Sequence, residues 1–280
     1  MTNPTADQAP AARQSKLKTL LLVLWTYRGF ILGSVKREFQ ARYRNSMLGA
    51  FWVVLNPLAM IFVYTVIFTK LMHPSLPNAS GPFAYGIYLC AGLLTWGLFT
   101  ENVSRLQNVF LDNGNLLKKQ SFPRVCLPII SLLNAVLNFT VIFSIFIGFL
   151  LISGNFPGWV ILTLIPVLLI QLLFSTGLGI ILGVLNVFFR DIGQLFGIVL
   201  QFWFWFTPIV YTITILPTEL QPLFKFNPMA ALIIAYQGVF VSGAIPNWRS
   251  LWPVTLLTVL LCLTAMVLFR KHAGEMVDEL

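Results

Sequence analysis

Residues 125–152 read VCLPIISLLNAVLNFTVIFSIFIGFLLI, an uncharged and almost wholly apolar run. A helix needs about 20 such residues to cross roughly 30 Å of hydrocarbon. Five further stretches meet the same requirement: 49–69, 83–100, 159–189, 192–211 and 251–269. Helix is the expected form of each, because backbone N–H and C=O groups must satisfy one another where water is absent. Composition agrees, since 58% of the 280 residues are apolar and only 10% charged, too little polar material to clothe a globule in water. The sequence therefore predicts an all-α, polytopic membrane protein with six transmembrane helices.

Charge sets its orientation. Of the 18 Lys and Arg residues, 15 fall on one side of a six-span arrangement, and only Lys70, Lys225 and Arg249 on the other. The basic side is cytoplasmic by the positive-inside rule, which places both termini in the cytoplasm. Residues 1–18 carry no apolar stretch followed by a small-residue cleavage site, so the chain is expected to be inserted uncleaved. The net charge of +9 points to anionic lipid, an anionic substrate or an acidic partner without distinguishing them.

Two segments are neither spans nor simple loops. Between residues 16 and 44 apolar positions recur at Leu17, Leu20, Leu24, Tyr27, Ile31, Val35 and Phe39, the spacing of one helical face, with basic residues crowding the later half. This predicts an amphipathic helix over 17–48 lying in the cytoplasmic interface against lipid head groups. On the outside, residues 212–250 are punctuated by Pro217, Pro222, Pro228 and Pro246 around an apolar run too short to cross. Asn227 before Pro228 has the form of a helix N-cap with proline in the first turn, which predicts a short re-entrant helix. The expected organisation is a disordered tail over 1–16, the interface helix, a six-span body over 49–270 containing a cytoplasmic loop at 101–125, and a cytoplasmic tail over 271–280.

Chemistry is scarce. No G-x-x-x-x-G-K-S/T phosphate loop occurs, so this chain does not hydrolyse nucleotide by that route. His73 and His272 lie far apart, and Cys90, Cys126 and Cys262 lack CxxC spacing, which leaves no expected metal site. The nine carboxylates fall in flanks and loops, with Glu101 at the edge of the second span, so the coupling groups of an ion-driven carrier are missing. Asp191 beside Arg190 reads as a neutralising loop pair rather than an enzyme's acid or metal ligand. What remains is a conduit without a cofactor, whose driving energy must come from another polypeptide.

Several motifs carry a resemblance. Residues 37–49, REFQARYRNSMLG, lead into Phe51-Trp52 and Asn56-Pro57. In order there follow LKK at 117–119, FPR at 122–124, Leu127-Pro128, RDI at 190–192, TPIVY at 207–211 and NPM at 227–229. Over residues 20–270 this ordered set resembles the permease subunits of ABC-2 type polysaccharide exporters, most closely those for O-antigen, with teichoic-acid and capsule exporters as neighbours. The resemblance implies a homodimer in a bacterial inner membrane, joined to two copies of a separate ATPase that binds ATP and Mg, and moving a polyprenyl-diphosphate-linked glycan from cytoplasm to periplasm. Nucleic acid has no part in it.

It also implies roles. Loop 101–125 would insert into the ATPase, with Asn108, Asp112, Asn115, Lys118 and Lys119 as contacts, although positive-inside topology explains the two lysines equally well. Arg42, Arg44 and Arg190 stand at the cytoplasmic boundary, where guanidinium forks suit a diphosphate; topology alone also predicts arginines there. Forty aromatic residues include five in succession at 202–206. Sugar rings stack on aromatic faces, which makes Trp52, Tyr64, Trp96, Trp203, Phe206 and Tyr211 candidates for a glycan path, while five in a row circle a helix and some must pack or face lipid. Spans one and five are expected to wall that path in the dimer. Gly179 and Gly183 form a G-x-x-x-G pair expected to serve packing within the chain. The rival readings are an ABC-2 permease for a smaller lipid or drug, an ion-coupled carrier, and a membrane transferase.

Overall fold

The computed structural model describes residues 22, 25–43, 51–68, 83–119, 123–219 and 221–279, and among these every regular element is helical. In chain order α1 is Arg28–Tyr43, α2 Phe51–Phe62, α3 Ala84–Asp112, α4 Gly114–Lys119, α5 Cys126–Ile152, α6 Leu164–Phe188, α7 Asp191–Trp205, α8 Pro228–Ser242, α9 Trp248–His272 and α10 Glu275–Glu279. A π-helical segment, Val63–Phe68, prolongs α2, and a 3-10 turn, Gly158–Thr163, leads into α6. Three of the described helical stretches are long and apolar enough to cross a bilayer by themselves: Cys126–Ile152, Gly158–Phe188 and Trp248–His272. The chain is a multi-pass membrane protein.

The long helix α3 is the axis of the fold. It packs on α5, α6, α7, α8 and the π-helical end of α2, while α9 lies on the far side of α6. Glycine brings α3 and α6 together, since a Cβ on Gly179 would stand 2.6 Å from Leu106 Cβ and one on Gly183 only 2.5 Å from the Leu106 carbonyl oxygen. That G-x-x-x-G pair thus serves a contact inside the chain. Buried polar groups tie the same two helices: Gln171 donates to the Thr95 carbonyl at 2.7 Å, and Asn102 donates to Ser175 Oγ at 2.7 Å. On α9, Trp252, Leu256, Leu260, Leu263 and Val267 form an exposed apolar stripe opposite the α6 contact, as a lipid-facing helix requires.

Helix α8 forms where the sequence predicts. Asn227 caps it, its side-chain oxygen accepting from the backbone N–H of Met229 at 3.0 Å, with Pro228 in the first turn and Gly243 at φ +61° ending it. Most of its residues are buried, among them Met229, Leu232, Ile233, Tyr236 and Val239.

Three differences from the sequence reading stand out. The second apolar stretch does not end near residue 100, because its helix continues unbroken to Asp112 with Asn102, Val103, Leu106 and Phe110 fully buried. Residues 101–112 are therefore helical, and the chain first leaves this helix at Asn113. On α1, Ile31 and Val35 are buried against Cys126 and Ile130 of α5, so this part of the apolar stripe packs on protein rather than lipid. The C-terminal segment folds back as α10 and buries Met276 with Phe110, Leu117, Val184 and Val187, which anchors α4.

Candidate functional site

Between α1–α2 on one side and α7 on the other, α3 presents a polar stripe. Gly97, Glu101, Ser104, Asn108 and Asp112 recur three or four residues apart along one face, with Thr100 and Arg105 flanking them, and all are exposed or half-buried. Polar groups on an otherwise apolar helix are costly in a membrane protein unless they meet water, partners or substrate. At its upper end the stripe borders a cavity of 270 Å³ between α2, α3 and α5, lined by Tyr64, Gly97, Glu101, Asn138 and apolar side chains.

At the middle of the stripe Arg105 holds two carboxylates. Its guanidinium donates to Glu101 Oε1 at 3.0 Å and to Glu38 Oε1 of α1 at 2.5 Å. The second oxygen of each carboxylate accepts from α5: Asn138 reaches Glu101 Oε2 at 2.6 Å, and Asn134 reaches Glu38 Oε2 at 2.5 Å. Glu101 is thus not a loose flank residue but a member of a three-helix junction. Lower down, Asn186 of α6 ties the start of α7 to α3. Its Oδ1 accepts from the Gly193 N–H at 2.9 Å, and its Nδ2 donates to the Gln107 carbonyl at 3.1 Å and to Asn108 Oδ1 at 3.2 Å.

The five successive aromatics divide by helical phase. Phe196, Leu200, Trp203 and Thr207 follow the inward phase of α7, whereas Phe202, Trp205 and Phe206 are 62%, 66% and 66% exposed. Trp203 meets Phe99 edge to face at 5.3 Å and Trp96 at 6.3 Å, and its indole N–H donates to Asn227 Oδ1 at 2.9 Å. Trp96 itself is only 8% exposed. Trp96 is thus packed inside the chain, whereas Trp203 is half-buried. Trp203, Phe206 and Tyr211 line an open cleft of 620 Å³ with Trp205, Phe224 and Phe226, and the Tyr211 hydroxyl donates to the Trp205 carbonyl at 2.8 Å.

A polar frame fixes the turn over 206–211. Tyr85 donates to the Val210 carbonyl, Tyr88 to that of Tyr211, and Asn227 Nδ2 to the Phe206 carbonyl, each at 2.8 to 2.9 Å. Replacing Asn227 by alanine removes the α8 cap and leaves the Trp203 indole without its acceptor. A loss of about 2–3 kcal/mol is expected, read as a lower midpoint of thermal unfolding in detergent. Asn227→Asp keeps both acceptor roles and is expected to recover about half of it.

The other predicted residues separate. Asn108 is half-buried in α3, where its Oδ1 accepts from Asn186 of α6. Asp112 is exposed at the end of α3, and Asn115 and Lys118 are exposed on α4. Arg190 is exposed at the start of α7, where Asp191 occupies the first turn, a favourable place for an acid on a helix dipole. Tyr64 is half-buried at the cavity above Glu101. Arg44, and the side chains of Arg42, Trp52 and Lys119, lie outside the described residues. Sequence reasoning missed the junction of Glu38, Arg105, Asn134 and Asn138. A signal existed, since Asn134 and Asn138 stand four apart within an uncharged span, matching the spacing of Glu101 and Arg105.

Comparison with known proteins agrees with this architecture. The chain is 30% identical over 263 residues to the O-antigen export system permease protein RfbA of Myxococcus xanthus, covering 93% of this chain and 99% of that one. It is 28% identical over 236 residues to the RfbA permease of Klebsiella pneumoniae, covering 84% and 88%. The polysialic acid transport protein KpsM of Escherichia coli is 21% identical over 244 residues, covering 87% and 93%. Residues 31–241, which include α3, its polar stripe and the aromatic face of α7, match the family model described as ABC-2 type transporter, and the chain belongs to that family.

Proposed function

We propose that the chain is the membrane-spanning permease of an exporter that carries undecaprenyl-diphosphate-linked O-antigen polysaccharide from cytoplasm to periplasm. The observation that carries this reading is the likeness, over nearly the full length of both chains, to permeases named for O-antigen export. Geometry supports it. The polar stripe of α3 and the outward aromatics of α7 give a face suited to a hydrated, ring-rich polymer, and in this reading α2 and α7 wall the path. Two copies facing each other would enclose what one leaves open.

In this reading the chain crosses the bacterial inner membrane six times with both termini cytoplasmic, and α8 is the re-entrant helix. Two copies of a separate ATPase, binding ATP and Mg, dock on Asp112, Asn115, Lys118 and Lys119 at the cytoplasmic end of α3 and on α4. Arg42, Arg44 and Arg190 receive the lipid diphosphate, and Trp52, Tyr64, Phe206 and Tyr211 border the glycan. The likeness to a polysialic acid transport protein keeps a capsule glycan as the second reading.

Reconstitution with the cognate ATPase and a lipid-linked glycan tests this directly, the expected result being translocation that requires ATP and the O-antigen substrate. Uphill movement without the ATPase would refute it, and selective movement of a capsule glycan would favour the second reading. Asp112→Ala is expected to lower glycan-stimulated hydrolysis about tenfold while the permease still assembles, the effect of one lost charge-assisted contact.

A further inference from the structure

Helix α1 packs on α5 along one narrow face, with Phe30 half-buried beside the buried pair Ile31 and Val35. Among the described residues it buries only Ile31 and Val35, against Cys126 and Ile130 of α5, while most of its remaining surface is exposed. One turn beyond Val35, Glu38 reaches two other helices at once, accepting from Arg105 of α3 and Asn134 of α5, both at 2.5 Å. Arg105 also holds Glu101, whose other oxygen accepts from Asn138. The two ladders match because Glu101 and Arg105, like Asn134 and Asn138, are four residues apart and so lie on one face of their helices. The guanidinium sits between the two carboxylates with 19% of its side chain exposed. The Glu101 side chain is 22% exposed and its pair with Arg105 is the less screened of the two, while Glu38, 45% exposed, meets Arg105 at the solvent edge of the junction.

We infer that Arg105 is a positioning residue that clamps α1 onto α3 and α5, so that movement of the cytoplasmic end of α3 is passed to the interface helix. The transmitting path is short and rigid: Asp112 lies two helical turns beyond Arg105 on the same unbroken helix, with Leu106 and Phe110 fully buried between them. Without Arg105, α1 would keep only its apolar contact with α5 through Phe30, Ile31 and Val35, and its tie to α3 would be lost. The clamp itself does not depend on the proposed function; only the use of the transmitted movement for export rests on that reading.

A native reporter lies under α1. Cys126 is fully buried in one cluster with Ile31 and Val35, so lifting of α1 is expected to open its thiol to alkylation. In the full-length protein in native membrane vesicles, the rate of Cys126 modification by N-ethylmaleimide, resolved by peptide mass spectrometry, reads that lifting. Arg105→Gln and Glu38→Gln are expected to raise the rate about tenfold, and Arg105→Lys to keep it within about threefold of the native value. A rate in both glutamine variants within about twofold of native overturns the clamp. Glu38 is half-exposed, so its variant folds even where an Arg105 variant does not. In the reconstituted complex, Arg105→Gln is expected to lower the glycan translocated per ATP hydrolysed while hydrolysis continues. An unchanged ratio with Cys126 unmasked overturns the transmission of movement. If the native complex translocates no glycan, the exporter reading fails, and the labelling result still decides the clamp.

Discussion

Gly183→Ala is expected to destabilise the protein by about 3 kcal/mol, a large effect for one methyl group. The new Cβ would come within 2.5 Å of the Leu106 carbonyl oxygen and 3.3 Å of the Phe110 ring. A backbone oxygen inside a helix cannot swing aside as a flexible side chain does. Relief therefore requires α3 and α6 to separate. The strain would spread along the same contact to Gly179, where Leu106 Cβ already stands in the way at 2.6 Å, and to Asn186, which holds α7. Gly148 and Gly197 serve as controls, since nothing lies within 4 Å of a Cβ at either position. Alanine at these exposed or open sites is expected to be neutral or stabilising by up to about 1 kcal/mol. Thermal unfolding in detergent with size-exclusion profiles would report the contrast. Equal midpoints for Gly183→Ala and Gly148→Ala would mean that the two helices approach less closely than described.

The neighbouring tryptophans Trp203 and Trp205 are expected to fail in opposite ways. Trp203→Ala removes an indole packed on Phe99 and Trp96 and bonded to Asn227, a loss of about 3–5 kcal/mol that would appear first as poor yield and a lowered unfolding midpoint. Trp205→Ala deletes an outward ring whose backbone carbonyl still accepts from Tyr211, so the fold should change by less than about 0.5 kcal/mol. Its effect is expected on transport. One lost aromatic face for sugar stacking is worth about 0.5–1.5 kcal/mol, or up to about tenfold in export rate. Measuring yield, unfolding and glycan export for both variants separates the roles. Normal export by Trp205→Ala would make that residue a lipid contact, and an undisturbed fold in Trp203→Ala would contradict the packing described.

Much of the fold is legible in the sequence because bilayer physics leaves few options. The long apolar stretches become helices, and the Asn227-Pro228 pair starts a helix as its capping chemistry dictates. The end of α3 was harder to read. Residues 101–112 carry Glu101, Arg105 and Asp112, which look like a loop by hydropathy, yet their partners Glu38, Asn134 and Asn138 come from elements far away in the chain. The aromatic run at 202–206 was ambiguous for another reason: both faces of α7 are apolar, so periodicity alone cannot say which one packs. Trp203 is fixed inward by Phe99 and Asn227, neither of which is near it in sequence.

The exposed stripe of α9 has a bearing on the surrounding lipid. Trp252 near one end and Arg270 near the other are anchoring side chains about 27 Å apart at 1.5 Å per residue, with Leu256, Leu260, Leu263 and Val267 between them. That distance fixes the bilayer thickness in which the helix stands upright. Shorter acyl tails would make it tilt and longer ones would stretch or pinch the annulus around it, so tail length is a control variable for any vesicle assay of this protein.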